Sequence, residues 1–120
     1  MGAGIVVLAL SGCAPSGSSL EGELQGGDPA VRVRAIIHAA ERSDQDALPY
    51  LVDRLTDSDR SVRMYAILAL KKLTGQTLGY CHYAPARERT EMAERWREWL
   101  GRNRGAATRP ATGNAQEAQP

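Results

Sequence analysis

The chain has no phenylalanine, and two tryptophans and four tyrosines are its whole aromatic complement in 120 residues. A core must therefore come from Leu, Ala, Ile and Val, which are plentiful between Leu20 and Leu73. The two cysteines, Cys13 and Cys81, are too few for a disulfide framework. With two histidines and no CxxC, the sequence falls short of the set of about four ligands that a zinc site needs, so no metal is expected. No CxxCH exists either, which removes support for covalent haem. Net charge is +1, and nucleic-acid binding would want a larger excess of positive charge. No strand pattern and no glycine-rich phosphate loop occur, and the carboxylates are scattered over turns and solvated faces. No catalytic residue, cofactor or small-molecule substrate is assigned on these grounds.

Long apolar runs are also missing. The longest, Ile5–Leu10, has six residues, against about 20 for a membrane-spanning helix. That length fits the apolar region of a signal peptide. The residues that follow are more specific, because Leu10-Ser11-Gly12-Cys13 resembles a bacterial lipobox. The resemblance implies a covalent lipid on the Cys13 sulfur and cleavage just before it. Ala14–Ser19 then reads as a flexible polar tether. Ala14 directly after the cysteine is not acidic, which by resemblance to enteric lipoproteins favours the outer membrane. Met1–Gly4 carries no Lys or Arg, unlike an ordinary signal peptide. The alternative is a cytoplasmic protein with an apolar N-terminus.

Shifting the chain by 31 residues lays Leu20–Ala39 over Leu51–Leu70. Leu20 meets Leu51, Leu24 meets Leu55, Val31 meets Val62, Arg32 meets Arg63, and Ala35-Ile36 meets Ala66-Ile67. Each copy reads as a short helix, a turn and a second helix. Asp28-Pro29 supplies an N-cap and a first-turn proline for the second helix of copy one. In copy two a helix is expected from about Gln45 to Leu55, capped by Ser43 or Asp44. The next helix is capped by Asp59 and stopped by Gly75. The first helix of copy one, Leu20–Gln25, is short and closes on Gly26-Gly27.

The stretch Ala47–Gly75, with Pro49 inside the first helix, Asp57 in the turn and Val62-Arg63 opening the second, resembles a short HEAT repeat of the phycobilisome-lyase-like bacterial kind. The resemblance implies an α-solenoid in which Asp57 and Arg63 form a ladder that keeps neighbouring repeats in register. Arg32 is the matching residue of copy one, but Gly26 stands where Asp57 stands, which leaves that half of the ladder without its carboxylate.

Two repeats are fewer than the three or so that a solenoid normally needs, so the open end requires a cover. Leu73–Arg102 supplies one. Pro85 suits a helix start and Gly101 a helix end, and Met92, Trp96, Trp99 and Leu100 share one stripe. Glu91, Arg95, Glu98 and Arg102 are spaced for opposite-charge pairs on the other side. The "LTGQ", "GY" and "RWxxW" elements are similar to the ends of other bacterial HEAT-repeat proteins. The Trp pair is read as a hydrophobic lid, with a partner-binding hot spot as the competing role. Cys81, His82 and His38 are read as structural or surface residues, since no third or fourth ligand accompanies them.

The expected organisation is all-α: a signal peptide over 1–12, lipidated Cys13 and tether over 13–19, two HEAT-like hairpins with a Trp-bearing capping helix over 20–102, and a disordered tail over 103–120. The expected role is a non-catalytic scaffold or adaptor of the cell envelope. It would be held to a bacterial membrane by its lipid and would bind a protein partner, not nucleic acid. A bilin-lyase-like enzyme and a fragment of a longer HEAT assembly are the alternatives.

Overall fold

The computed structural model describes Gly2, Gly4 and residues 19–107, with side chains through residue 104. Cys13, the rest of residues 1–18 and residues 108–120 lie outside the described residues.

Three of the helices start where a side chain takes over an orphan backbone N–H. Ser19 Oγ accepts from the Gly22 N–H at 3.2 Å and opens α1, Leu20–Leu24. Asp28 Oδ1 accepts from Ala30 at 2.9 Å and opens α2, Pro29–Glu41, whose proline sits in the first turn where its missing N–H costs nothing. Asp59 Oδ1 accepts from Val62 at 3.0 Å and opens α4, Arg60–Thr74. Gly75 ends α4 at φ 75°, a left-handed turn that glycine adopts without steric cost, and its N–H bonds the Lys71 carbonyl at 2.8 Å.

The first helix of the second repeat departs from a continuous Gln45–Leu55 helix. It is a 3-10 turn at Gln45–Ala47, a short α-helix α3 at Leu48–Asp53, and a second 3-10 turn at Arg54–Thr56. Pro49 is the cause. It has no N–H to bond back into the preceding turn, so α-helix begins beside the proline and not before it. Asp44 serves as the cap, accepting from Asp46 at 3.0 Å.

α1 and α3 form one layer and α2 and α4 a second, with the α2–α4 contact the most extensive between helices. The last helix, α5, spans Ala86–Ala107 and packs on α3 and the 3-10 turn behind it. It therefore takes the first-layer place that a third repeat would occupy. Trp96, Leu24, Ile36, Leu51, Leu55 and Leu70 are the largest fully buried side chains. Each buried aliphatic side chain among them contributes about 1.5–3 kcal/mol.

α5 corrects the expected C-terminal boundary. It passes through Gly101 and continues to Ala107, so residues 103–107 are helix. One glycine on an exposed face costs a helix only about 1 kcal/mol, too little to stop one anchored by a buried tryptophan. Asn103 Nδ2 also donates to the Trp99 carbonyl at 2.8 Å, tying the following turn down. The ion pairs on α5 differ from those expected. Arg87 meets Glu91 at 3.3 Å, and Arg97 meets Glu94 at 2.7 Å and Asp53 of α3 at 3.4 Å.

Two substitutions separate core from helix propensity. Trp96→Ala is expected to lower unfolding free energy in urea by about 3–5 kcal/mol. Gly101→Ala is expected to raise it by about 0.5–1 kcal/mol, since a Cβ there meets nothing within 4 Å.

Candidate interaction surface

Asp57 is buried at the turn between α3 and α4, and its carboxylate accepts three hydrogen bonds. Arg32 of the preceding repeat places Nη2 2.9 Å from Oδ1, and its Nε lies 2.9 Å from Oδ2, off the hydrogen-bond direction. Arg54 Nη1 donates to Oδ2 at 3.1 Å, and the Asp59 N–H donates to Oδ1 at 2.9 Å. These are charge-assisted bonds, and the one from Arg32 joins the two repeats across 25 residues.

The ladder also has a backbone rail. Arg32 Nη1 donates to the Gly26 carbonyl at 2.6 Å, six residues back. Arg63 Nη1 donates to the Asp57 carbonyl at 2.7 Å, again six residues back, and to that of Ser58 at 3.0 Å. Gly26 therefore fills the place of Asp57 with its carbonyl, although it offers no carboxylate. Arg63 finds no aspartate on its far side. Its Nε donates instead to the His82 carbonyl at 3.0 Å, in the loop before α5.

That loop, residues 75–85, is pinned at several points. The Tyr80 hydroxyl donates to the Leu55 carbonyl at 2.5 Å, the Trp96 indole N–H to Thr77 at 3.2 Å, and Arg89 Nη1 to Ala84 at 2.5 Å. Consecutive left-handed residues, Leu78 at φ 51° and Gly79 at φ 74°, turn it sharply ahead of Tyr80. Burial pushes the Tyr80 phenol up to about 12, partly offset by the Arg63 and Arg89 charges. Cys81 is half-buried, and its N–H lies 3.3 Å from Met92 Sδ. The His82 ring stacks edge-on against Tyr83 at 5.0 Å. Desolvation first, then Arg60 and Arg63, holds its pKa below the ordinary histidine value. His38 is exposed on α2. Among the described residues no group of three or more His, Cys, Asp or Glu is placed to hold a metal ion, and no helix is long and apolar enough to cross a membrane.

The structure splits the stripe on α5. Trp96 is wholly buried, while Met92, Trp99 and Leu100 are half-buried against the core. The two indoles meet edge to face at 5.6 Å.

Among the described residues two concave surfaces bear on binding. On the second layer, Ile37 and Leu68 are 37% and 54% exposed, and the 31-residue repeat makes them equivalent positions. They border a groove of about 290 Å³ floored by Ile36, Ala40 and Ala69. Tyr65 joins it to a second hollow of about 430 Å³ beside Val33 and Arg34. Arg34 and Lys72 line these hollows, with Asp59 and Glu41 the opposing charges. On the first layer, a larger groove of about 810 Å³ lies between α3 and α5. Neither groove, nor the part of Arg54 at Asp57, follows from the sequence reading. The equivalence of Ile37 and Leu68 in the repeat register is a sequence signal that could have found the second-layer face.

A two-layer stack of helical hairpins held by an Asp–Arg ladder is a short α-solenoid. A model of HEAT repeats matches residues 18–79, and the chain belongs to the HEAT-repeat family. HEAT repeats form a scaffold fold for protein–protein interaction. No curated protein and no solved structure is significantly similar to the chain.

Asp57→Ala is expected to cost about 3–5 kcal/mol, because it leaves Arg32 buried without its counter-ion. Asp57→Asn keeps an acceptor for the Asp59 amide and is expected to cost less. Urea midpoints of the two variants check the order. For Tyr80, the folded pKa of about 12 lies above the unfolded value of 10.0. The stability it contributes is therefore intact below pH 10 and is lost as pH rises through about 12. Absorbance titration at high pH should show a late-ionising tyrosine that disappears in Tyr80→Phe.

Proposed function

We propose that this chain is a lipid-anchored, non-catalytic HEAT-repeat adaptor of the bacterial cell envelope, binding a partner protein on the face formed by α2 and α4. The observation that carries the binding face is the pair Ile37 and Leu68, large apolar side chains left exposed at equivalent places in consecutive repeats and bordering one groove. Apolar side chains presented in register on a rigid scaffold are what an interaction surface requires. The anchor is supported by Leu10-Ser11-Gly12-Cys13 and by the polar tether after it, which would hold the solenoid away from the lipid. The outer membrane is the favoured site, given Ala14 after the cysteine. The non-catalytic reading is supported by Cys81 and His82, whose backbones bond Met92 and Arg63 and so hold the loop, with the His82 ring against Tyr83.

Intact mass of the membrane-extracted protein is expected to show a chain beginning at Cys13 with acyl groups attached. Cys13→Ala should move the protein to the soluble fraction. A soluble protein with an unmodified Met1 would refute the anchor. Ile37→Ser with Leu68→Ser is expected to abolish cross-linking to the native partner while shifting stability by no more than about 0.5 kcal/mol per site.

A further inference from the structure

The groove between α3 and α5 is separate from the α2–α4 face and is the largest concavity described above. Its apolar lining comes from Leu48, Pro49 and Tyr50 on α3 and Trp99 and Leu100 on α5, all half-buried. At about 810 Å³ it is of the size that takes several side chains of a bound segment. Trp99 differs from its neighbour in a way that matters here. The Trp96 indole N–H is committed to Thr77, whereas no described residue accepts from that of Trp99. A half-buried tryptophan with an unused donor, seated on a rigid aromatic base, has the character of an interface anchor.

The charges around the groove are mostly of one sign. Pooled with the smaller hollow that adjoins it through Asp46 and Tyr50, they are Glu21, Asp44, Asp46 and Asp53 against Arg104. Asp44 caps the first 3-10 turn, Asp53 faces Arg97, and Glu21 lies beside the Tyr50 phenol and pushes its pKa up. Asp46 is exposed, and no described group engages its carboxylate. The hollows of the α2–α4 face carry Arg34 and Lys72 against Asp59 and Glu41, so they show no such excess of one sign.

We infer that the α3–α5 groove docks a basic amphipathic helix of a partner protein, whose apolar side chains seat on Trp99 and Tyr50 while lysine or arginine beside them reaches Asp46 and Asp53. The apolar lining accounts for one stripe of such a helix, and the carboxylates on the α3 rim account for its cationic flank. This site is independent of the α2–α4 face, and either can fail without the other.

The test is isotope-edited NMR of the full chain titrated with a helical leucine/lysine peptide of about 14 residues, long enough to lie along roughly four helical turns. A leucine/glutamate peptide of the same pattern and phosphatidylglycerol vesicles serve as comparison probes. The leucine/lysine peptide is expected to shift the Trp99 indole N–H and the amides of residues 45–53 and 99–104. Asp46→Lys is expected to weaken it about fivefold at low salt, and added salt to weaken the wild type. Trp99→Leu should weaken binding further. If that variant is unfolded, Asp46→Lys alone decides, since its side chain is exposed. Equal binding of the glutamate peptide overturns the proposal. So do shifts confined to α2 and α4, the same shifts produced by self-association, or a response to vesicles without one to the peptide.

Discussion

The carboxylate of Asp57 holds the two repeats at a fixed height relative to each other. The apolar faces that meet between α2 and α4 are rich in Ala, Ile and Leu, and such faces tolerate small displacements at little cost. A buried ion cluster does not. Arg32 comes from one repeat, and Arg54 and the Asp59 amide from the other, so a slip of one helical turn would strand a buried guanidinium. The cluster also reaches into local structure. Asp57 holds the amide of Asp59, which in turn caps α4, so the same side chain that fixes inter-repeat register helps begin the second-layer helix.

The ladder is closed on both sides by main chain. At the first repeat Gly26 offers Arg32 a carbonyl but presents no carboxylate to an upstream arginine. At the second, Arg63 spends its outward-facing donor on His82. A carbonyl can take the place of an aspartate here because the rung needs an acceptor, and the charge matters only where two guanidinium groups converge, as they do at Asp57. The loop that supplies His82 is held by Tyr80, Trp96 and Arg89, so the end of the stack is as specified as its middle.

The repeat, the caps and the all-helical architecture were legible in the sequence because each rests on local chemistry: Asp28, Asp59 and Gly75 act within their own turns, and Val62, Ala66 and Leu70 recur at helical spacing. The ladder residues, and the reach of an arginine to the aspartate of a neighbouring repeat, were visible through the likeness to HEAT repeats, but their other partners were not. Arg54 carries no repeat signature, and the acceptors of Arg63 are carbonyls, which no side-chain pattern reveals. The end of α5 was misread because Gly101 looks like a stop signal, and the tertiary anchoring by Trp96 outweighs that local preference. The division of labour between Trp96 and Trp99 lay outside sequence reasoning altogether. Three residues apart, they share a stripe on paper, and only the position of α3 decides which one is sealed.

In a simple solenoid each hairpin touches its immediate neighbours, and such arrays fray from their ends. Here α5 reaches back past α4 to lie on α3, while the loop before it bonds both Arg63 and Leu55. Loss of the last helix would uncover the middle of the chain and not just its terminus. Unzipping from the C-terminal side is thereby coupled to collapse of the second hairpin, and a stack this short gains the all-or-none melting of a globular domain.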